Sequence, residues 1–204
     1  NLEMPMRALL RISQVIDAVT EWIGNQLPWL VTILVAIGFI NVVARYLGRF
    51  VNMRLTSNAV IETQWYLFTV LFFLGFAYIL KHNLNVRVDF LYANFSPKQR
   101  ALIDLIGHSV FFLAFCILGI SVSYLPVMKS WGLLPNGSWG TWEMSPDPDG
   151  LPRAPIKSMI IVAFVMLFFQ TISEIIKNIA ILRGAASPDI IEQHAGHDAL
   201  AEAE

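Results

Sequence analysis

The feature that most constrains the fold is a set of four long uncharged stretches. Residues 22–44, 63–80 and 105–128 contain no Asp, Glu, Lys or Arg, and residues 158–173 form a fourth such stretch. A helix needs about 20 apolar residues to cross the roughly 30 Å hydrocarbon layer of a bilayer. Backbone amides cannot stay unpaired in hydrocarbon, and these stretches do not alternate as barrel strands would. The sequence therefore predicts four transmembrane helices.

The composition agrees with a membrane protein. The chain is 56% hydrophobic and 14% charged, whereas about a quarter of the residues in a soluble domain carry charge. A formal net charge of −1 gives no reason to expect a nucleic-acid partner. The single cysteine, Cys116, lies inside the third uncharged stretch, so it does not indicate a redox compartment.

The segment before the first uncharged stretch is amphipathic. Between residues 7 and 23, apolar residues recur at helical spacing, and the charged residues fall largely on the other side. This pattern is typical of a helix that lies in the membrane interface. A helix packed on a soluble partner domain is the alternative. The segment lacks the small-residue cleavage site of a secretory signal, so we do not expect one here.

We therefore predict an all-α integral membrane protein with an N-terminal amphipathic interfacial helix and four transmembrane helices. Ser96, Pro97 and Gln99 predict the start of the third span, because they fit an N-cap, a first-turn proline and a capping box. Eight Lys and Arg residues fall on the side of the N-terminus and six on the other, which favours cytoplasmic termini. Within a membrane domain of residues 1–182, we expect the interfacial helix at about 7–23, spans at about 24–46, 62–81, 97–128 and 156–182, and an external loop at 129–155; a polar, disordered tail follows at 183–204.

Ionisable groups gather at the ends of the predicted spans. Asn41, Arg45 and Arg49 follow at four-residue intervals and so share one face at the end of the first span. Glu62 opens the second span on the same side of the membrane, and we predict an ion pair between Arg45 and Glu62. These groups are interpreted either as anchors that reach the lipid headgroups or as contacts to another subunit.

The fourth span repeats this arrangement. Gln170, Glu174 and Asn178 are spaced by four residues, and Lys177 is predicted to pair with Glu174. None of the charged groups falls in the middle of a span. Transporters that bind solute themselves usually do so near the midplane on broken, polar helices. The pattern therefore indicates a supporting subunit rather than a pathway for solute.

The predicted external loop is rich in proline and carries three of the six tryptophans, Trp131, Trp139 and Trp142. Tryptophan is enriched where membrane proteins meet the headgroup layer, so an aromatic belt is one interpretation. A docking surface for an external partner is the other.

No arrangement of residues typical of a catalytic site is visible, so we expect neither enzyme activity nor a bound cofactor or metal. His82 and His108 flank the second connection, and a haem held between the second and third spans gives the alternative of a membrane anchor for a respiratory enzyme. A purely structural four-helix membrane protein is a further alternative.

Three motifs together resemble the small permease (Q-type) subunit of tripartite ATP-independent periplasmic (TRAP) transporters, over about residues 15–182. In that family a span ending in Arg-Tyr is followed by a Glu that opens the second helix and by a His-x-Arg-x-Asp signature. Arg87 and Asp89 match the last two signature positions, whereas Asn85 replaces the histidine. The motifs are Asn41-Val42-Val43-Ala44-Arg45-Tyr46, Glu62 ahead of Tyr66-Leu67-Phe68 and Leu71-Phe72-Phe73-Leu74-Gly75, and Asn85-Val86-Arg87-Val88-Asp89.

The resemblance implies a multi-pass protein of the bacterial inner membrane, surrounded by lipid, that scaffolds a large permease subunit. A periplasmic solute-binding protein would deliver an organic anion, such as a dicarboxylate, to that large subunit for sodium-driven uptake. The small subunit would carry no substrate site. Under this interpretation Arg87 and Asp89 brace the cytoplasmic connection, and the candidate contact residues at the helix ends are Arg45, Tyr46, Glu62, Glu174 and Lys177.

Overall fold

The computed structural model describes residues 3–84 and 95–184, with side chains from Met6 onward. These residues are mainly helical, and their hydrophobic patterns account for the helices. The elements are α1 (Glu3–Gly24), α2 (Leu27–Val51), α3 (Asn58–Lys81), α4 (Pro97–Ile106), a π-helical segment (Gly107–Phe112), α5 (Leu113–Ser130) and α6 (Arg153–Leu182).

Within the described part of the chain, four segments are long and apolar enough to cross a membrane, which confirms the predicted all-α membrane fold. The first of them, Met6–Val51, contains α2 and all but the first three residues of α1. We assign the first crossing to α2, because most of the uncharged residues 22–44 lie in it. The other three segments are Asn58–Lys81, Pro97–Ser130 and Arg153–Leu182.

The third span combines two α-helices with the π-helical segment. It begins as the capping box predicts: the Gln99 backbone N–H donates to the Ser96 hydroxyl at 3.4 Å, and the Ser96 N–H donates to the Gln99 side chain at 2.8 Å. In a π-helix each carbonyl accepts from the N–H five residues later instead of four, so the segment rotates the face that α5 presents relative to α4. His108 lies in this segment, buried and edge-on to Phe112, with ring centroids 5.5 Å apart.

The described residues form two compact units. The terminal unit contains α1, the end of α3 from Phe76, α4 with the π-helical segment, α5 as far as Leu118, and α6 from Phe164. The loop unit contains α2, α3 up to Gly75, α5 from Gly119, the connection between α5 and α6, and α6 up to Ala163.

The apolar core of the terminal unit is small. Leu80, Cys116 and Leu167 are buried together, and the aromatic rings of Phe76, Phe112 and Phe168 pack against them. Cys116 behaves here as a small apolar residue.

Helix α1 turns its polar side towards the protein and its apolar side outwards. Ser13, Asp17 and Thr20 are buried, whereas Val15 is 64% and Trp22 is 68% exposed. Gly24, the last residue of α1, lies against the Tyr78 ring with no room for a Cβ. An exposed apolar face suits contact with lipid, and the location of α1 in the membrane interface stays a prediction.

Candidate subunit-contact sites

One face of α3 holds the connection between α5 and α6, residues 131–152, here called the α5–α6 loop. Asn58, Glu62 and Tyr66 are spaced by four residues, so their side chains share that face. The Asn58 amide donates to the Pro148 carbonyl at 2.9 Å, and the Tyr66 hydroxyl donates to the Pro152 carbonyl at 3.1 Å. These contacts fix the last third of the loop on the start of α3.

Glu62 makes the central contact of this face. One carboxylate oxygen accepts from the Ser145 hydroxyl, and the other accepts from the Leu151 backbone N–H at 2.5 Å. The prediction of an Arg45–Glu62 ion pair was wrong: among the described residues the Arg45 side chain forms no ion pair and is exposed. The buried carboxylate is already satisfied by donors of the loop, while an arginine at a helix end keeps its charge in contact with polar surroundings.

Glu143 joins the two ends of the α5–α6 loop. Its carboxylate accepts from Ser130 Oγ at 2.6 Å and from Lys157 Nζ at 2.5 Å. Its backbone N–H donates to the Ser130 carbonyl at 2.8 Å, and its carbonyl accepts from the Arg153 N–H at 2.8 Å. The hydrogen bond from Lys157, followed by that from Ser130, lowers the pKa of Glu143 below its ordinary value of 4.5.

The three tryptophans of the loop have different environments. Trp131 is half-buried, donates from Nε1 to Ser158 Oγ at 2.7 Å, and lies edge-on to Trp142 with ring centroids 4.7 Å apart. Trp139 is 63% and Trp142 is 50% exposed. Trp131 therefore anchors the loop to α6, and Trp139 and Trp142 stay as candidates for a docking surface.

Backbone geometry tightens the first part of the loop. Gly132 has φ +98°, and a Cβ there would lie 2.6 Å from the Gly140 carbonyl oxygen. The Gly140 N–H donates to the Gly132 carbonyl at 2.7 Å, and Leu133 pairs with Trp139 as an isolated antiparallel bridge. Only glycine combines this conformation with this approach of two backbones.

A polar cluster in the terminal unit joins α1 to α6. It consists of side chains that are all buried and that contact one another: Ser13, Asp17, Thr20, Gln170, Ser173, Glu174 and Lys177. Here it is called the α1–α6 cluster. The predicted pair of Lys177 and Glu174 is present, with 2.5 Å between Nζ and Oε1.

Four members of this cluster were not predicted from the sequence: Ser13, Thr20, Ser173 and the central residue, Asp17. It accepts from Gln170 Nε2 at 2.8 Å and from Ser173 Oγ at 2.7 Å, and its other oxygen lies 3.2 Å from Lys177 Nζ. Thr20 Oγ1 donates to Gln170 Oε1 at 2.7 Å. Polar residues of complementary charge recur at helical spacing on α1 and on α6, and this pattern could have indicated the contact. Nothing in the sequence, however, showed that the two polar faces meet.

Glu21 connects α1 to the end of α3. It accepts a hydrogen bond from Lys81, and His82 Nε2 lies 2.9 Å from the same oxygen. The His82 ring also lies 4.3 Å, centroid to centroid, from the Tyr78 ring. His82, proposed as one ligand in the haem alternative, thus lies at the Glu21 carboxylate that accepts from Lys81.

The other candidate residues fall into two groups. Arg45 and Tyr46 are exposed on α2, and the Arg49 guanidinium lies 5.6 Å from the centre of the Tyr46 ring. Arg87 and Asp89, with Asn85, lie outside the described residues, as does the predicted tail from residue 185 onward.

Comparison with known families supports the transporter interpretation over the haem alternative. The chain matches the family described as tripartite ATP-independent periplasmic transporters, DctQ component, over residues 34–180. No curated protein and no solved structure gives a significant match. Because the family match covers more than half of the 204 residues, the chain belongs to the DctQ family, the small membrane component of these transporters.

Proposed function

We propose that this chain is a rigid membrane scaffold for a large permease subunit. The large subunit uses the sodium gradient to take up organic anions, and a periplasmic binding protein delivers these anions to it. One observation carries the proposal. Every Asp, Glu and Lys side chain that is buried among the described residues is engaged within the chain: Asp17, Glu62, Lys81, Glu174 and Lys177. Such groups brace helices and are not available to bind an ion or a polar solute.

Helix α2 offers the surface that such a scaffold needs. Phe39, Ile40, Val42 and Val43 are all exposed, and these near-consecutive positions cover more than one side of the helix. Of the residues in α2, only Gly48 is fully buried. We propose that part of this surface packs against the large subunit, with Arg45 and Tyr46 at its edge.

The remaining candidate residues extend the same proposal. Trp139 and Trp142 face outwards from a loop that is fixed at both ends, which suits contact with the binding protein. The termini lie in the cytoplasm of a bacterium, and Arg87 and Asp89 brace the connection on that side.

Reconstitution tests the proposal. Proteoliposomes that contain the large subunit, this chain and the binding protein are expected to show sodium-driven uptake of an organic anion, and omission of this chain is expected to abolish it. This chain alone is expected to give no uptake. Uptake by the chain alone, or full uptake without it, would contradict the scaffold role.

A further inference from the structure

A pocket of about 600 Å³ opens in the loop unit between α3, α5 and α6. Its wall is formed largely by apolar and aromatic side chains, among them Trp65, Phe73, Val122 and Ile160. Three charged residues, Glu62, Arg153 and Lys157, also line it. This volume lies within the usual range for sites that bind small molecules.

The charged and apolar parts of the pocket are arranged along the helices. Arg153 is the first residue of α6 and Glu62 lies in the first turns of α3, whereas Phe73 lies 11 residues further along α3 than Glu62. At 1.5 Å per residue this separation is about 16 Å along the helix axis. The charges therefore lie near the ends of the spans, and the apolar wall extends from there towards the hydrocarbon layer.

Arg153 is the cation of the pocket that has no directly bonded side-chain partner among the described residues, although its charge interacts with the nearby carboxylates of Glu62 and Glu143. Both oxygens of Glu62 accept hydrogen bonds from the loop, and Lys157 is paired with Glu143. In the part of the chain that the structure describes, the guanidinium of Arg153 forms no hydrogen bond or ion pair. Its backbone N–H is fixed by the Glu143 carbonyl at 2.8 Å, so the side chain starts from a defined position.

We propose that this pocket binds one phospholipid, with the phosphate on the Arg153 guanidinium and an acyl chain along Trp65, Phe73 and Val122. A guanidinium presents a planar set of donors that matches two phosphate oxygens at once. A small water-soluble anion does not require the apolar wall, and an uncharged hydrocarbon does not require the arginine. A phospholipid uses both, in the order in which the span presents them. The inference does not depend on the transport role.

The test measures phospholipid retained by the full-length protein, with any subunits that co-purify, after washing in mild detergent. The protein is then reloaded from micelles that contain dioleoyl phosphatidylglycerol, and bound lipid is counted by native mass spectrometry. Arg153→Gln is expected to lower retention about tenfold or more, because a charge-assisted contact is lost. Val122→Trp, which fills the apolar wall, is expected to lower it similarly. Arg54→Gln, at an exposed arginine outside the pocket, is the matched control and is expected to retain lipid like the parent protein.

Other probes separate the lipid from its competitors. Inorganic phosphate at millimolar concentration is expected not to displace the phospholipid, and dioleoylglycerol, which lacks the phosphate, is expected not to be retained. Arg153→Lys keeps the cation and is expected to recover part of the retention, which separates loss of the site from loss of folding. Unchanged retention in both pocket variants would overturn the proposal. So would displacement by phosphate, or crosslinking of a Val122→Cys variant to a co-purified protein instead of to lipid.

Discussion

The carboxylate of Asp17 in α1 lies 3.2 Å from the ammonium of Lys177 in α6. The same ammonium lies 2.5 Å from Glu174, so one cation serves two buried carboxylates. Gln170 and Ser173 complete the contacts of Asp17 with hydrogen bonds. The N-terminal helix is thus held to the last described helix through charge and hydrogen bonding.

Lys177→Met is expected to destabilise the protein strongly. It leaves Asp17 and Glu174 buried without their cation, and removal of one partner from a buried ion pair typically costs about 3–5 kcal/mol. Asp17→Asn leaves the Lys177–Glu174 pair in place and is expected to cost less. Thermal unfolding in detergent measures both, with Lys129→Met as the control at an exposed lysine. Equal melting temperatures for Lys177→Met and the parent would refute the structural role of the α1–α6 cluster.

Glu62→Gln is expected to release the end of the α5–α6 loop. The substitution replaces the carboxylate by a neutral amide, so the hydrogen bonds with Ser145 and Leu151 lose the charge that makes such bonds roughly twice as strong as neutral ones. Hydrogen exchange at the Leu151 amide is expected to accelerate about tenfold or more. Tyr66→Phe removes a single bond to Pro152 and is expected to have a smaller effect. If Tyr66→Phe released the loop more than Glu62→Gln did, the central role of Glu62 would be wrong.

The Glu143 contact is expected to depend on pH only under acidic conditions. Its pKa in the folded protein is lowered from 4.5, so the contact contributes its full stabilisation above pH 4.5 and loses it as the pH falls through the lower folded-state pKa. The fluorescence of Trp131 and Trp142, which lie nearby in the same loop, is expected to change with a midpoint below 4.5. Glu143→Gln removes the titrating group and is expected to abolish that transition. A midpoint above 4.5 in the parent protein would contradict the assignment.

Trp131 and Trp139 are expected to respond differently to substitution. Trp131→Phe loses the hydrogen bond to Ser158, so the free energy of unfolding is expected to fall by about 1 kcal/mol. Trp139→Ala removes an exposed ring and is expected to leave the melting temperature unchanged while it weakens association with the binding protein. Surface plasmon resonance on the assembled membrane complex measures that association. Unaltered association for both Trp139→Ala and Trp142→Ala would rule out the docking surface.

Arg87→Ala and Asp89→Ala are expected to reduce transport or assembly of the complex. Both residues match the family signature in the connection before α4, and this prediction depends on the resemblance alone. Transport by the reconstituted complex and co-purification of the large subunit are the two measurements. Full rate and full assembly in both variants would show that these residues do not brace the connection.

The sequence predicted the number of spans well, because the length of an uncharged stretch is compared directly with the thickness of a bilayer. It also predicted the capping box at Ser96 and the Lys177–Glu174 pair, since both depend on residues within one turn of the same helix. Contacts between distant segments were not accessible in this way. Helical spacing shows which residues share a face, but it does not show which other segment that face meets, so the partners of Asp17 and Glu62 were missed.

The α1–α6 cluster also bears on how the protein is made. Ribosomes synthesise the chain from the N-terminus, so Ser13, Asp17 and Thr20 leave the ribosome long before residues 170–177 exist. During most of translation the hydrophilic stripe of α1 has water or headgroups as its only partners. The N-terminal helix can therefore form its contacts with α6 only after the last span has entered the bilayer. Its docking is then a late step of biogenesis.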